Sequence, residues 1–240
     1  MIILGSKPMA TSKCPFGICK ILPGFTKSAL VFAIFLNMYI YIPYHTYMNN
    51  KNTDIFKCLI SSSKLNMDNK KLIKDLNFLK LKNKGRILSN KGGWQSNDLD
   101  LNNIELKLLI SNITKKSIQY MRTCLFKDRD FKLLNLWANI NYYKDFNEPH
   151  LHTDSIISGV YFLQSPKNCG NICFLNPCNY LEYSWKSELF IKHNEYNSGK
   201  YFFKPEKNQL LLFPSWLFHG AEPNYNKETN RISISFNIGI

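Results

Sequence analysis

Four of the five histidines lie in the last 110 residues, and the neighbours of three of them suggest what they do. His150-Leu151-His152 is followed at once by Thr153-Asp154, and His219 comes 67 residues after His152. Alternate residues on an extended chain point to the same side. His150 and His152 can therefore face one metal ion, and so can His152 and Asp154. A distant third ligand, His219, completes one face of an octahedron. Two imidazoles and a carboxylate with open positions opposite suit Fe(II) oxygen chemistry. Arg231 stands 12 residues beyond His219, and Ser233 shares its side of an extended chain. A buried guanidinium fork beside a hydroxyl is a carboxylate receptor. A structural zinc site, or histidines satisfied within a core, competes with this reading. Arg231-x-Ser233 at this distance weighs against both.

These side chains need rigid elements under them. From Leu133 onward the pattern is one of short β-rich runs, near 134–143, 157–163, 171–175, 201–204, 209–213 and 231–238, separated by Gly, Pro and Asn clusters. Short strands without intervening helices predict an antiparallel sandwich or barrel. Tyr161, on the strand after the ligand pair, is a candidate hydrogen-bond partner for a bound cosubstrate, or a core residue. Trp137, Asn139 and Asn141 are candidates to line a pocket. The long polar and aromatic loop from Cys178 to Lys200 is expected to shape a substrate pocket. Cys169, Cys173 and Cys178 read as ordinary thiols, and His193 as solvent-exposed.

Ahead of this region, Leu65, Leu72, Ile73, Leu76 and Leu79 recur at helical spacing. Residues 101–127 form a second amphipathic pattern through Ile104, Leu108, Leu109, Ile113, Ile118 and Met121. Both helices are expected to back the sheet. Between them, Gly92-Gly93-Trp94-Gln95-Ser96 is a turn whose Trp pins the loop to a core or meets a ligand. Ala29–Ile42 is an apolar run broken by Asn37, shorter than a membrane span needs. It reads as a signal anchor, a signal peptide or a dispensable extension, with Met48 as a possible start, and residues 29–44 as a possible membrane tether. Cys14 and Cys19 have no second Cys/His pair near them for a zinc module.

Composition sets the outer limits. The chain has 240 residues, of which 45% are hydrophobic and 20% charged, which excludes a disordered polar chain. Seven cysteines are too few and too uneven for a disulfide scaffold. The net charge of +14 sits in front of the chemistry: residues 131–240 carry 10 Lys/Arg against 9 Asp/Glu. A nucleic-acid partner is therefore disfavoured relative to a solvated basic face. Free thiols and ferrous iron both suit a reducing compartment, so the expected location is the cytoplasm, or a membrane anchor facing it.

With these residues in view, the stretch from Trp94 to Ile240 resembles the 2-oxoglutarate/Fe(II)-dependent oxygenase family of marine bacteria and phages. The matching segments are GGWQS (92–96), PHLH (149–152), SGVYFL (158–163), LLLFPSWLFH (210–219) and RISISFN (231–237). The resemblance implies an α+β, mainly β fold: a double-stranded β-helix, or jelly roll, at 131–240. A helical support region at 51–130 would back it, and residues 1–50 would be a hydrophobic leader or possible signal anchor, with 50–240 forming one domain. It implies Fe(II), 2-oxoglutarate and O2, and hydroxylation of a small-molecule or protein substrate with formation of succinate and CO2. Carried over by position, His150, His152 and His219 are the metal ligands, Arg231 holds the distal carboxylate of 2-oxoglutarate, and Ser233 assists. The departure is His152 in place of the usual acid, while His152-Thr153-Asp154 also offers a literal H-x-D. Two ligand sets thus stay open: His150/His152/His219 and His152/Asp154/His219. Without the carboxylate the iron site is one unit more positive and less selective for Fe(II). The alternatives to the oxygenase are a cupin-like metal enzyme that does not use 2-oxoglutarate and a non-catalytic binding protein on the same scaffold.

Overall fold

The computed structural model describes residues 52–240, apart from Asp128, Asn179 and Tyr180. The leader, with Cys14, Cys19, the apolar run at 29–44 and Met48, lies outside the described residues. Residues 57–240 form one compact unit. Among the described residues, no helix is long and apolar enough to cross a membrane.

Among the described residues, eleven strands and three α-helices follow in chain order: β1 (Ser61–Lys64), α1 (Lys70–Lys82), β2 (Asn90–Lys91), β3 (Trp94–Gln95), α2 (Lys107–Thr123), β4 (Lys132–Asn141), β5 (Phe146–His150), β6 (Ile157–Gln164), β7 (Ile172–Leu175), α3 (Leu181–Ser184), β8 (Lys200–Phe203), β9 (Gln209–Pro214), β10 (His219–Ala221) and β11 (Arg231–Gly239). They make a six-stranded sheet, β1-β9-β6-β11-β4-β3, and a five-stranded sheet, β2-β5-β10-β7-β8. The pairings are antiparallel throughout. The architecture is the expected jelly roll.

The six-stranded sheet is covered on both faces. On one, Leu136, Ala138, Ile140, Ile232, Ile234, Phe236 and Ile238 pack against Leu72 and Leu76 of α1 and Leu109 and Ile113 of α2. On the other, Val160, Phe162, Leu211 and Phe213 meet Ile172 and Phe174 of the smaller sheet. Period-two alternation assigns each side chain of β4, β6, β9 and β11 to one face or the other. Gly159 of β6 pairs with Phe236. A Cβ there would sit 2.8 Å from Leu211 O and closer still to the Phe236 ring, so glycine makes room for the aromatic core residue.

Two predicted boundaries move. The first helix starts at Lys70, not near Leu65, because Ser61–Lys64 pairs with β9 and holds the chain extended. Leu65 is still buried, with its N–H donating to Asn208 O at 2.8 Å. The second begins at Lys107, after a 3₁₀ turn at Ile104–Leu106. Leu108, Ile104 and Ile118 are exposed, so the buried stripe of α2 runs through Leu109, Ile113, Tyr120 and Met121.

The Gly92-Gly93 turn grips the carboxylate at the turn before β5. Both glycines have left-handed φ, +68° and +65°. The Gly93 N–H donates to Asp145, and Asp145 Oδ2 also accepts from Tyr142 N at 2.7 Å. Trp94 is buried, with its Nε1–H donating to Asn83 O at 2.8 Å. Of the two roles open to this Trp, pinning the loop is the one the packing fulfils.

Candidate metal centre and cosubstrate pocket

Strand register brings the histidines together. His219 of β10 is the direct cross-strand partner of His150 at the end of β5. His152 arrives from the loop beyond β5, where its N–H donates to Ser215 O at 3.0 Å. The three ring centroids are 4.5 Å (His150–His219), 5.1 Å (His150–His152) and 5.1 Å (His152–His219) apart. One nitrogen from each ring lies within 4.8 Å of the others.

The Nδ1 atoms point elsewhere. His150 Nδ1 lies 2.7 Å from Glu148 O, and His219 Nδ1 lies 2.8 Å from Leu217 O. His152 Nδ1 lies 2.6 Å from Asn237 Oδ1. The nitrogens left for an ion are the three Nε2 atoms. Burial holds all three rings neutral. It lowers the pKa of His150 and His152, and that of His219 to about 3, with the neighbouring His150 adding to the effect. Neutral imidazole is the form that binds a metal. Asp154 is exposed, next to Thr153, and among the described residues does not join the cluster.

The histidines line a cavity of about 880 Å³ between the sheets. Its wall on the larger sheet is a ladder of cross-strand pairs from β4 and β11: Asn141 with Arg231, Asn139 with Ser233, Trp137 with Ser235, and Asn135 with Asn237. Arg231 is 2% exposed. Its Nη1 donates to Cys169 O at 2.6 Å and Glu222 O at 3.0 Å, while Nη2 is buried with no partner. Burial lowers its pKa to about 10, which leaves it a cation at neutral pH. Trp137 meets the His152 ring edge-on at 5.7 Å, and the Arg86 guanidinium lies 5.7 Å from the centroid of the Trp137 ring.

Trp137, Asn139, Asn141, Arg231 and Ser233 thus line the cavity, as expected from the sequence. Tyr161 does not. Strand parity turns Val160 and Phe162 to the cavity and Tyr161 away from it. Its hydroxyl lies 3.0 Å from both Asn69 Oδ1 and Asn208 Oδ1. The loop from Cys178 to Lys200 also places no described residue on the cavity wall. Cys169 takes part through its backbone carbonyl rather than its thiol. His193 is exposed. The sequence reading missed Asn135, Ser235 and Asn237. The alternation Arg231-Ile-Ser-Ile-Ser-Phe-Asn237 carried that signal, since every second residue from Arg231 is polar.

Residues 135–237 match the family model described as "Putative 2OG-Fe(II) oxygenase". That segment runs from Asn135 of β4 to Asn237 of β11. Over that segment the chain is similar to the 2OG-Fe(II) oxygenases. Solved structures agree on the fold. A Pseudomonas putida prolyl-4-hydroxylase is similar with a TM-score of 0.54 at 12% identity, covering 74% of this chain and 91% of that one. A prolyl hydroxylase from Trichoplax adhaerens, in complex with a hypoxia inducible factor peptide fragment, gives a TM-score of 0.51 at 16% identity, covering 76% and 83%. The non-heme alpha-ketoglutarate-dependent epimerase of nogalamycin biosynthesis gives 0.54 at 12% identity, covering 75% and 78%. No curated protein matches the sequence. The matched family is described by 2-oxoglutarate and Fe(II), and the three-imidazole cluster is suited to hold the iron.

Proposed function

We propose that His150, His152 and His219 hold Fe(II) through their Nε2 atoms, and that Arg231 and Ser233 receive the distal carboxylate of 2-oxoglutarate. The observation that carries this reading is the unpartnered Nη2 of Arg231. A guanidinium 2% exposed, with one donor arm left unsatisfied in the wall of a metal-competent cavity, lacks an anionic acceptor. A dicarboxylic acid reaching from the histidines supplies one. A cupin-like metal enzyme that does not use 2-oxoglutarate has no need for such a cation.

Bound iron and 2-oxoglutarate would supply the oxidising chemistry with O2 as the oxidant, one oxygen atom going to succinate and the other to the substrate, with CO2 released. The chain's own residues do the rest. The imidazoles stay neutral because they are buried, so no proton has to leave before the metal binds. Cys169 O and Glu222 O orient the guanidinium through Nη1, leaving Nη2 for the cosubstrate. Phe213 and Phe174, packed around His219, keep water from that side of the metal centre. The substrate is a peptide or a small molecule, and hydroxylation is the reaction this fold most directly supports. The free thiols and ferrous iron suit a reducing compartment.

Anaerobic titration of the full chain with Fe(II) and then 2-oxoglutarate tests the reading. The metal-to-cosubstrate charge-transfer absorption is expected with the wild type, absent in His219→Ala and strongly weakened in Arg231→Met. A wild type without the band overturns the assignment. A band retained in His150→Ala but lost in Asp154→Ala would transfer the third ligand to the carboxylate.

A further inference from the structure

The three histidines are not held in the same way. His150 and His219 each donate Nδ1–H to the backbone carbonyl two residues earlier, Glu148 O and Leu217 O. A carbonyl only accepts, so the backbone fixes those two tautomers whatever the neighbouring side chains are. His152 lacks such a carbonyl. Its Nδ1 faces Asn237 Oδ1 at 2.6 Å and Ser158 Oγ at 2.8 Å.

Counting protons along the attached hydroxyls fixes their direction. Ser155 Oγ–H donates to Ser215 Oγ at 2.8 Å, which leaves the Ser215 proton for Ser158 Oγ, also at 2.8 Å. Ser158 in turn donates its one proton to Asn237 Oδ1 at 2.8 Å. Both groups around His152 Nδ1 then present lone pairs, and the ring nitrogen must carry the proton. If Ser158 donated to Nδ1 instead, two lone pairs would face each other across 2.6 Å. Ser158 and Ser215 are fully buried and Asn237 is 9% exposed, so water does not compete for these positions.

We infer that Asn237 is a positioning residue for the metal centre: polarised by the Ser155–Ser215–Ser158 chain, its amide oxygen fixes the tautomer and ring orientation of His152 and so directs Nε2 to the ion. The inference rests on the three-imidazole reading of the iron site. His152 is the ligand that stands in place of the family's usual acid, and it is the one whose direction depends on a replaceable side chain. Outer hydrogen bonds of this kind typically change metal affinity 10- to 100-fold.

Anaerobic titration of the full chain with Co(II) alone, followed by its visible ligand-field bands, reads this without turnover. Asn237→Leu is expected to weaken Co(II) binding about 10- to 100-fold and to alter the bands. Asn237→Asp, which keeps an acceptor at the same place, is expected to bind close to wild type. Undiminished affinity in Asn237→Leu overturns the inference, and so does Asn237→Asp binding as weakly as Asn237→Leu. If Asn237→Leu does not fold, Asn237→Gln replaces it: the displaced acceptor should weaken binding relative to Asn237→Asp, and equal affinities overturn the inference. A wild type that binds no Co(II), or binds it equally well after His152→Ala, overturns the three-imidazole reading instead.

Discussion

Strands β4 and β11 carry two different proteins on their two faces. Toward the helices stand Leu136, Ala138, Ile140, Ile232, Ile234, Phe236 and Ile238, a dry aliphatic and aromatic layer. Toward the cavity stand Asn135, Trp137, Asn139, Asn141, Arg231, Ser233, Ser235 and Asn237. The backbone is shared, and most residues of both faces are buried. The first face gains from leaving water. The second loses by it unless each polar group finds a partner, and it keeps orphans: Asn135 Oδ1, Asn139 Oδ1 and Arg231 Nη2. One layer stabilises the fold, and the other spends part of that stability on a site shaped for a ligand.

That separation can be broken or sharpened by substitution. The largest effect belongs to His219→Ala, which removes one of three ligands. Co(II) affinity should fall more than about 100-fold, beyond what outer-shell changes cause, and an isotherm like wild type would dissolve the site face. Next, Phe236→Ala should cost about 3–5 kcal/mol of unfolding free energy, while the folded protein keeps its Co(II) affinity. Chemical denaturation and metal titration on one sample check both halves.

Arg231→Met should reverse that pattern. Losing charge-assisted hydrogen bonds worth about 1.5–3 kcal/mol weakens 2-oxoglutarate binding roughly 10- to 150-fold, with Co(II) binding and thermal stability close to wild type. A large loss of stability would mean that the guanidinium is a core strut rather than a receptor.

Acid should act on the site face alone. The folded pKa values of His150, His152 and His219 lie below the unfolded value of 6.5. Below pH 6.5 the unfolded chain therefore binds more protons than the native one. Stability of the metal-free protein is present above that pH and is lost as the pH falls below it, by up to about 1.4 kcal/mol per pH unit for each histidine. Denaturation midpoints between pH 7 and 5 should show this, with a shallower slope in His219→Leu. The smallest effect is expected for Ser235→Ala, whose hydroxyl accepts a single bond from Asn139 Nδ2 at 3.2 Å. A change under about 1 kcal/mol in stability is expected.

Much of this was legible in the chain. The six strand runs from 134 to 238 fall within a few residues of β4, β6, β7, β8, β9 and β11, because each is a β-rich run set off by Gly, Pro and Asn clusters. The strands that were not legible are short or polar: β1 is Ser-Ser-Ser-Lys, β5 contains Pro149, and β10 is three residues long. Such segments pair because a neighbour offers its edge, a property of the fold and not of the segment. Tyr161 shows the same limit. Its neighbours are apolar on both sides, since β6 is buried on both faces, and so no local pattern says which way it points.

The sequence by itself determined the residue types, their order and their parity: imidazoles at 150, 152 and 219, and a cation that begins a strand whose alternate residues are polar. Only the tertiary structure decided that His150 and His219 stand opposite each other across β5 and β10, that Asp154 is exposed, and that an asparagine 85 residues away faces His152 Nδ1. Period-two alternation is a local rule that any reader of the chain can apply. Which strands become neighbours, and in which register, is settled by burying both faces of one sheet at once, and no short stretch of the chain contains that information.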